Sequence, residues 1–300
     1  MVYTEIKEKN LKKYYYRVKS IREGKNIKKK RIYLGVNLSK KQLSKKEKEA
    51  DKELISLNNL LNEQEIRYIE KIRKEYLKQP KENLDNRYET FCSLFTYNTN
   101  AIEGNTLTLQ ETSQLLFENI VPSAKSLREI NEVINHKEAF DFILKTKEDI
   151  SKKFILTLHK IVVKNTLKKE LEDQIGKYRN IQVYIRGSEW LPPKSKDVPK
   201  KMRTLLLWYS RNKNKIHPLI IAAYFHSAFE GIHPFVDGNG RVGRLLMNFI
   251  LYKNNYPMIN IPNSRKIMYY NTLQEAQINN NLRLFIGFLI ELLKEEKVRF

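Results

Sequence analysis

Ile232-His233-Pro234-Phe235-Val236-Asp237-Gly238-Asn239-Gly240-Arg241-Val242-Gly243-Arg244 is the stretch on which the reading of this chain turns. Gly238-x-Gly240-x-x-Gly243 matches the dinucleotide-binding pattern, which needs a strand before it and an acid about 20 residues after it. Neither is present. An apolar helical run, Leu219–Phe229, and a His-Pro corner precede it, and no Asp or Glu occurs between Asp237 and Glu275. The stretch still suits phosphate. Gly238 and Gly240 let backbone amides approach an anion with no Cβ in the way. A helix predicted to start near Asn239 adds free N–H groups and the positive end of its dipole. Arg241 and Arg244, three apart, share a helix face and can each pair with phosphate oxygens. Asp237 stands just ahead of the amides, where a carboxylate can hold Mg2+ against the same phosphates. His233, at the lip of the loop, has an unperturbed pKa of ~6.5 and can take up a proton near neutral pH.

Composition bounds the rest. Three hundred residues can bury a core without disulfides, and a 41 % hydrophobic content excludes a wholly disordered chain. The longest apolar runs, Leu219–Phe225 and Leu245–Leu251, fall short of the ~18 residues of a membrane span. No apolar stretch of signal-peptide type opens the chain, and one cysteine, Cys92, excludes an internal disulfide or a Cys-rich zinc site. A soluble, cytoplasmic protein is expected, with no membrane partner. Lys+Arg number 56 against 34 Asp+Glu, a net charge of +22. The first 50 residues hold 17 Lys/Arg and 5 Glu, so +12 sits there. That segment is either a solvated basic surface or an arm for a polyanion such as nucleic acid.

Tyr14–Ser20 and Lys29–Leu34 are strand-like runs flanking the turn residues Glu23-Gly24-Lys25-Asn26, which predicts a basic β-hairpin arm over residues 1–38. Leu43, Leu54, Leu57, Leu60, Leu61 and Ile66 predict a long helix in a region spanning 39–83, closed by Gln79-Pro80. From there to residue 300 the pattern is helical: Leu84–Tyr97, a loop at Asn98–Leu107, then helices started by the capping boxes Thr108-x-x-Glu111 and Ser126-x-x-Glu129. Further helices are predicted at about Ser151–Lys164, Val198–Arg211, Pro218–Glu230, Asn239–Lys253, Arg265–Asn279 and Leu282–Glu296. Gln182-Val183-Tyr184-Ile185 reads as a short strand ended by Pro192-Pro193.

His233-x-Phe235-x-Asp237-Gly238-Asn239-Gly240-Arg241-x-x-Arg244 resembles the complete signature of the Fic domain, whose enzymes mostly transfer AMP from ATP to a protein hydroxyl. The resemblance implies a mainly α fold: a Fic-type helical bundle with a small β-hairpin flap, here beside an N-terminal basic hairpin and long helix. It implies that His233 is the catalytic base and that Asp237 binds Mg2+. Gly238, Asn239 and Gly240 would cradle the phosphates of ATP, and Arg241 and Arg244 would neutralise the leaving pyrophosphate.

Three other segments carry the resemblance. Thr99-Asn100-Ala101-Ile102-Glu103-Gly104 is similar to the family's inhibitory motif (residues 99–104), in which Glu103 pairs with Arg244 to block productive ATP binding. Gly176-Lys177-Tyr178-Arg179-x-x-Gln182-Val183 resembles the lead into the family's flap (residues 176–193). Gln182, Val183, Tyr184 and Ile185 would then pair with an extended target segment. Tyr269 and Tyr270 resemble a nucleobase wall, with Gln277 where the family often has Asn, and Asn279-Asn280-Asn281 replaces a usual Gly-Asp. The resemblance covers roughly Leu84–Leu293 and leaves too few residues after Arg244 for the winged helix of many relatives. It implies a protein target, self-modification included, and allows a homodimer. The alternatives are removal of AMP by the same site and a nucleic-acid-binding regulator acting through residues 1–38.

Overall fold

A computed structural model describes residues 2–23, 26–54, 57, 60–185, 187–295 and 300. The chain divides into two compact units, Met1–Asn62 and Glu63–Phe300. This division differs from the predicted boundaries at 38/39 and 83/84, because the first long helix packs on the sheet and the second on the bundle.

In the first unit, β1 (Val2–Lys9), β2 (Lys12–Glu23) and β3 (Asn26–Val36) form an antiparallel meander, followed by α1 (Lys40–Leu54). The expected hairpin is therefore two strands of three. β1 escapes a pattern search because Thr4-Glu5-Ile6-Lys7-Glu8-Lys9 is polar on both faces and its turn, Asn10-Leu11, lacks glycine. Both turn residues nevertheless adopt positive φ, 50° and 58°, as a two-residue hairpin turn demands. Residues 24 and 25 of the other turn lie outside the described residues. The β2–β3 register shifts between Tyr15 and Tyr16, the mark of a bulge. α1 lies against β2 and β3, where Glu47 accepts the Thr4 hydroxyl at 2.5 Å and faces the Arg17 guanidinium at 3.6 Å.

The predicted long helix is two, α1 and α2 (Glu63–Leu77). Residues 55, 56, 58 and 59, between the two, lie outside the described residues. The second unit then adds α3 (Leu84–Ile102), α4 (Leu109–Ser113), α5 (Leu127–Lys145), α6 (Lys152–Val162), α7 (Val198–Asn212), α8 (Pro218–Ile232), α9 (Asn239–Lys253), α10 (Lys266–Ile278) and α11 (Leu282–Glu295). α8 and α9 are buried along most of their length and form the centre, with α5, α6, α7, α10 and α11 packed about them. Among the described residues no helix is long and apolar enough to cross a membrane.

Two local predictions are corrected. α3 runs to Ile102 instead of ending at Tyr97, because Asn98 and Asn100 turn their amides back onto the Leu94 and Thr96 carbonyls, each at 2.9 Å. Residues 182–185 take no strand. No described segment pairs with them, and strand propensity alone supplies no ladder.

Both capping boxes form. Ser126 Oγ accepts from Glu129 N at 3.3 Å, and Glu129 accepts from Ser126 N at 3.1 Å. The same carboxylate accepts from Thr106 N at 3.0 Å and Thr106 Oγ1 at 2.7 Å, and these bonds hold its pKa down at about 2. α5 is thus started and tied to the loop after α3 by one residue. Ser126→Ala is expected to lower stability by about 1 kcal/mol, the usual cost of a lost N-cap. Urea denaturation at pH 7 checks it.

Candidate active site

The site forms where α8 ends and α9 begins. His233 follows α8 in a left-handed conformation (φ 49°), its amide donating to Phe229 O at 2.9 Å. A left-handed histidine costs ~1 kcal/mol or more, so the loop beyond must hold it. Phe235 supplies the anchor. Its buried ring stacks on His159 with centroids 3.7 Å apart and planes 1° from parallel. Asn239 closes the turn, its Oδ1 accepting from Phe235 N and its Nδ2 donating to Phe235 O, both at 2.9 Å. The Asn239 side chain is therefore a clamp on the loop. Gly238 needs its freedom: φ is 77°, and a Cβ there would lie 2.7 Å from Val163 Cγ1.

His159, which nothing local in the sequence singles out, joins this loop to the flap. Its Nδ1 accepts from Gly176 N at 3.0 Å, which leaves Nε2 as the protonated nitrogen facing Asp237 O at 3.2 Å. Arg179 does the same from a buried position. Its Nε donates to His233 O at 2.8 Å, and its remaining nitrogens donate to Ile181 O and Pro193 O, holding both ends of the flap. Trp190 Nε1 donates to Gly231 O at 2.8 Å. Between these anchors Tyr184 is 79 % exposed, and Gln182 donates to Pro192 O at 3.1 Å.

Both arginines of α9 are buried. Arg241 faces Glu132 Oε1 and Asp237 Oδ1, each at 3.4 Å, and its Nε and Nη1 lack hydrogen-bond partners. Arg128 bridges Glu132 at 3.2 Å and Asp237 at 3.0 Å. Arg244 is 1 % exposed and fully engaged. Its Nε donates to Thr99 Oγ1 at 2.6 Å, and its Nη2 to Thr99 O at 3.0 Å and Glu103 Oε1 at 2.7 Å. The Glu103 carboxylate also lies over the start of α9, since a Cβ built on Gly240 would fall 2.2 Å from Oε1. Gly104, with φ 101°, lets the chain leave α3 immediately afterwards. The structure thus brings Thr99, Glu103, Asp237, Gly240, Arg241 and Arg244 together.

The aromatic pair divides. Tyr269 is a correction: it is buried against Phe285, Phe288 and His226, and its hydroxyl lies 2.8 Å from His226 Nε2 and 3.4 Å from Arg244 Nη1. It cannot stack on a base; it lines the floor beneath Arg244. Tyr270 keeps an exposed ring, and Gln277 lies beside Gly231.

Burial dominates the titration. It pushes the carboxyl of Glu230 up to about 8, partly opposed by Arg244 and reinforced by Glu103. Glu230 Oε2 lies 4.0 Å from His233 Nδ1. Burial also pulls His226 down to about 3 and His159 and His233 to about 4, so all three are neutral at pH 7. The signs are opposite for stability. Depressed histidines lend stability that is present above their ordinary 6.5 and lost as pH falls toward about 4. Glu230, raised above its ordinary 4.5, lends stability that is lost as pH rises to about 8. The Tm advantage of Glu230→Gln over wild type is therefore expected to grow from about pH 4.5 to about pH 8 and then level. An advantage constant across that range would sink the assignment.

The Fic/DOC family model matches residues 149–251. Protein adenylyltransferase Fic of Drosophila persimilis is 36 % identical over 201 residues, 65 % of this chain and 38 % of that protein. The namesake in Drosophila melanogaster is 36 % identical over 201 residues, 65 % and 39 % of the two chains. The chain thus spans well under half the length of these relatives. A Fic domain containing signaling protein from Bacteroides thetaiotaomicron superposes with TM-score 0.70 at 27 % identity, covering 77 % of this chain and 94 % of that one. Fic-1 from C. elegans gives 0.69 at 27 %, covering 86 % and 76 %. A loop that clamps its own backbone around a helix start, two buried arginines beside it and these likenesses agree on a Fic-type domain, over the residues 149–251 that the Fic/DOC family model matches.

Proposed function

We propose that this chain is a protein adenylyltransferase, moving AMP from ATP to a Ser, Thr or Tyr hydroxyl of a protein target or of itself, and that Glu103 restrains it. The observation that carries the reading is the convergence of His233, Asp237, Arg241 and Arg244 on the N-terminus of α9. In this reading the neutral imidazole of His233 accepts the proton of the incoming hydroxyl. The oxygen bonds to the α-phosphorus, and the bond to the β-phosphate oxygen breaks to release pyrophosphate. Arg241, whose Nε and Nη1 make no hydrogen bond among the described residues, binds the departing phosphates, and the α9 amides offset their charge without reorganising.

The donor set near Asp237 fits Mg2+. A partly exposed single carboxylate completed by phosphate oxygens and water is the ligation Mg2+ prefers, and no group of three acidic or His/Cys ligands gathers among the described residues. Mg2+ held there would neutralise phosphate charge in the place now taken by Arg128. The segment at 182–185, with Tyr184 exposed, would align the target chain. A cytoplasmic setting accords with the unpaired, buried Cys92 and with a supply of ATP.

Restraint follows from competition. While Glu103 holds Arg244 and lies against Gly240, the site has one cation fewer for phosphate and a like charge in its place. Removal of AMP is the second reading, favoured by the Glu103 carboxylate lying over the start of α9, beside the loop that carries His233, where it would orient a water.

Intact-mass analysis after incubation with ATP and Mg2+ tests the proposal. Glu103→Gly is expected to gain one or more AMP masses, or to load a target at least tenfold faster than wild type; His233→Ala with Glu103→Gly is expected to gain none. An unlabelled Glu103→Gly protein that also loads no target overturns the transferase reading. Loss of AMP from a pre-adenylylated substrate only when Glu103 is present would favour removal.

A further inference from the structure

The Met1–Asn62 unit lies outside the catalytic machinery and holds 18 Lys/Arg against 7 Asp/Glu, a net +11. Its sheet has two unlike faces. α1 covers the face of Thr4 and Arg17, as the bonds to Glu47 show. Strand alternation and the register put Tyr14, Tyr16 and Tyr33 on the other face. There the Tyr16 and Tyr33 rings are 5.3 Å apart and the Tyr14 and Tyr33 rings 6.5 Å apart, and Tyr33 is 53 % exposed. Val18 on this face is buried, at the level of Tyr3 and Arg31, so the open part is the tyrosine end.

The register places five cations around these rings: Lys7, Lys9 and Lys12 at one end, Lys29 and Arg31 at the other. All five are exposed, and Lys7 sits 5.6 Å over the Tyr16 ring. Glu5 is the single carboxylate this face shows among the described side chains. It is already held by Arg31 at 2.8 Å, and its proton affinity is lowered by that bond and by the charges of Arg31, Lys7 and Lys29.

We propose that this tyrosine face binds single-stranded nucleic acid, the rings stacking on bases and the flanking lysines tracking phosphates. Charge alone would serve any polyanion, an acidic protein included; the rings make the choice. Each ring offers a base a π-face, and stacking is tolerant of sequence. Side chains two apart on a strand are about 7 Å apart, twice the ~3.4 Å rise of a stacked duplex, so the platform suits splayed bases. A sheet with exposed aromatics and surrounding cations is a known physical solution to that task. The proposal is independent of the Fic chemistry and stands or falls apart from it.

The test uses the full chain and a fluorescein-labelled single-stranded oligonucleotide of about 12 nucleotides, read by anisotropy. Oligothymidylate and oligouridylate arms separate DNA from RNA; a duplex and polyglutamate serve as competitors. Binding is expected to weaken steeply between about 50 and 200 mM salt, with the log–log slope falling by about 0.7 for each of Lys7→Gln and Lys12→Gln. Tyr33→Ala, at an exposed position, should weaken binding roughly tenfold, while Tyr33→Phe retains it. No binding to either single strand at about 50 mM salt overturns the proposal. So does a Tyr33→Ala affinity equal to wild type, or competition by duplex or polyglutamate as strong as by the single strand.

Discussion

A guanidinium buried as deeply as that of Arg244 needs its donors and its charge answered by the fold. Removing one partner of a buried pair leaves an uncompensated charge, at a cost of about 3–5 kcal/mol where burial is complete. Glu103 is about one-third exposed, which softens that figure here. Much of the second unit answers this constraint. α3 continues past Tyr97 so that Thr99 and Glu103 reach the guanidinium. α10 brings the Tyr269 hydroxyl beneath it, and α9 places glycine at 240 so that the carboxylate fits. The counter-ion the fold supplies is the Glu103 carboxylate; in the proposed reading a phosphate of ATP would take its place.

The loop around it is stiffened by contacts that spend no phosphate-binding group. Asn239 closes on Phe235, His159 ties Asp237 to Gly176, and Arg179 ties His233 to both ends of the flap. The first turns of α5 complete the frame. Arg128 and Glu132 reach Asp237 and Arg241, while Glu129 and Glu132 hold Thr106 and Asn105. One helix start therefore governs both the segment carrying Glu103 and the loop carrying His233. Such preorganisation is what a site needs when its work is to position groups and balance charge.

How much could be read from the sequence depended on how local each signal is. The loop and helix start at residues 233–244 were legible because their parts are neighbours in the chain, as were the capping boxes at Thr108 and Ser126. Arg128, His159 and Arg179 were not, since their partners in the 233–237 loop lie 54 or more residues away and a lone Arg or His carries no mark of its destination. Tyr269 shows the converse: an aromatic on a helix reads alike whether it lines a pocket or a core, and burial decides. Residues 182–185 have strand propensity without a partner, and β1 has a partner without strand-like alternation; pairing is a tertiary property in both cases.

Glu103 is the residue immediately beyond the last turn of α3, and Gly104 turns the chain away at once. That placement makes the carboxylate a tethered ligand of Arg244, present at an effective concentration that no dilution of the protein changes. A free anion seeking the same guanidinium meets a dissociation constant divided by the fraction of molecules in which the tether is open. The opening involves a helix terminus, the part of a helix that frays at least cost. In the proposed reading, the sensitivity of the site to a phosphate ligand is thus written into the stability of one helical turn, and single substitutions near residues 99–104 retune it without touching residues 233–244.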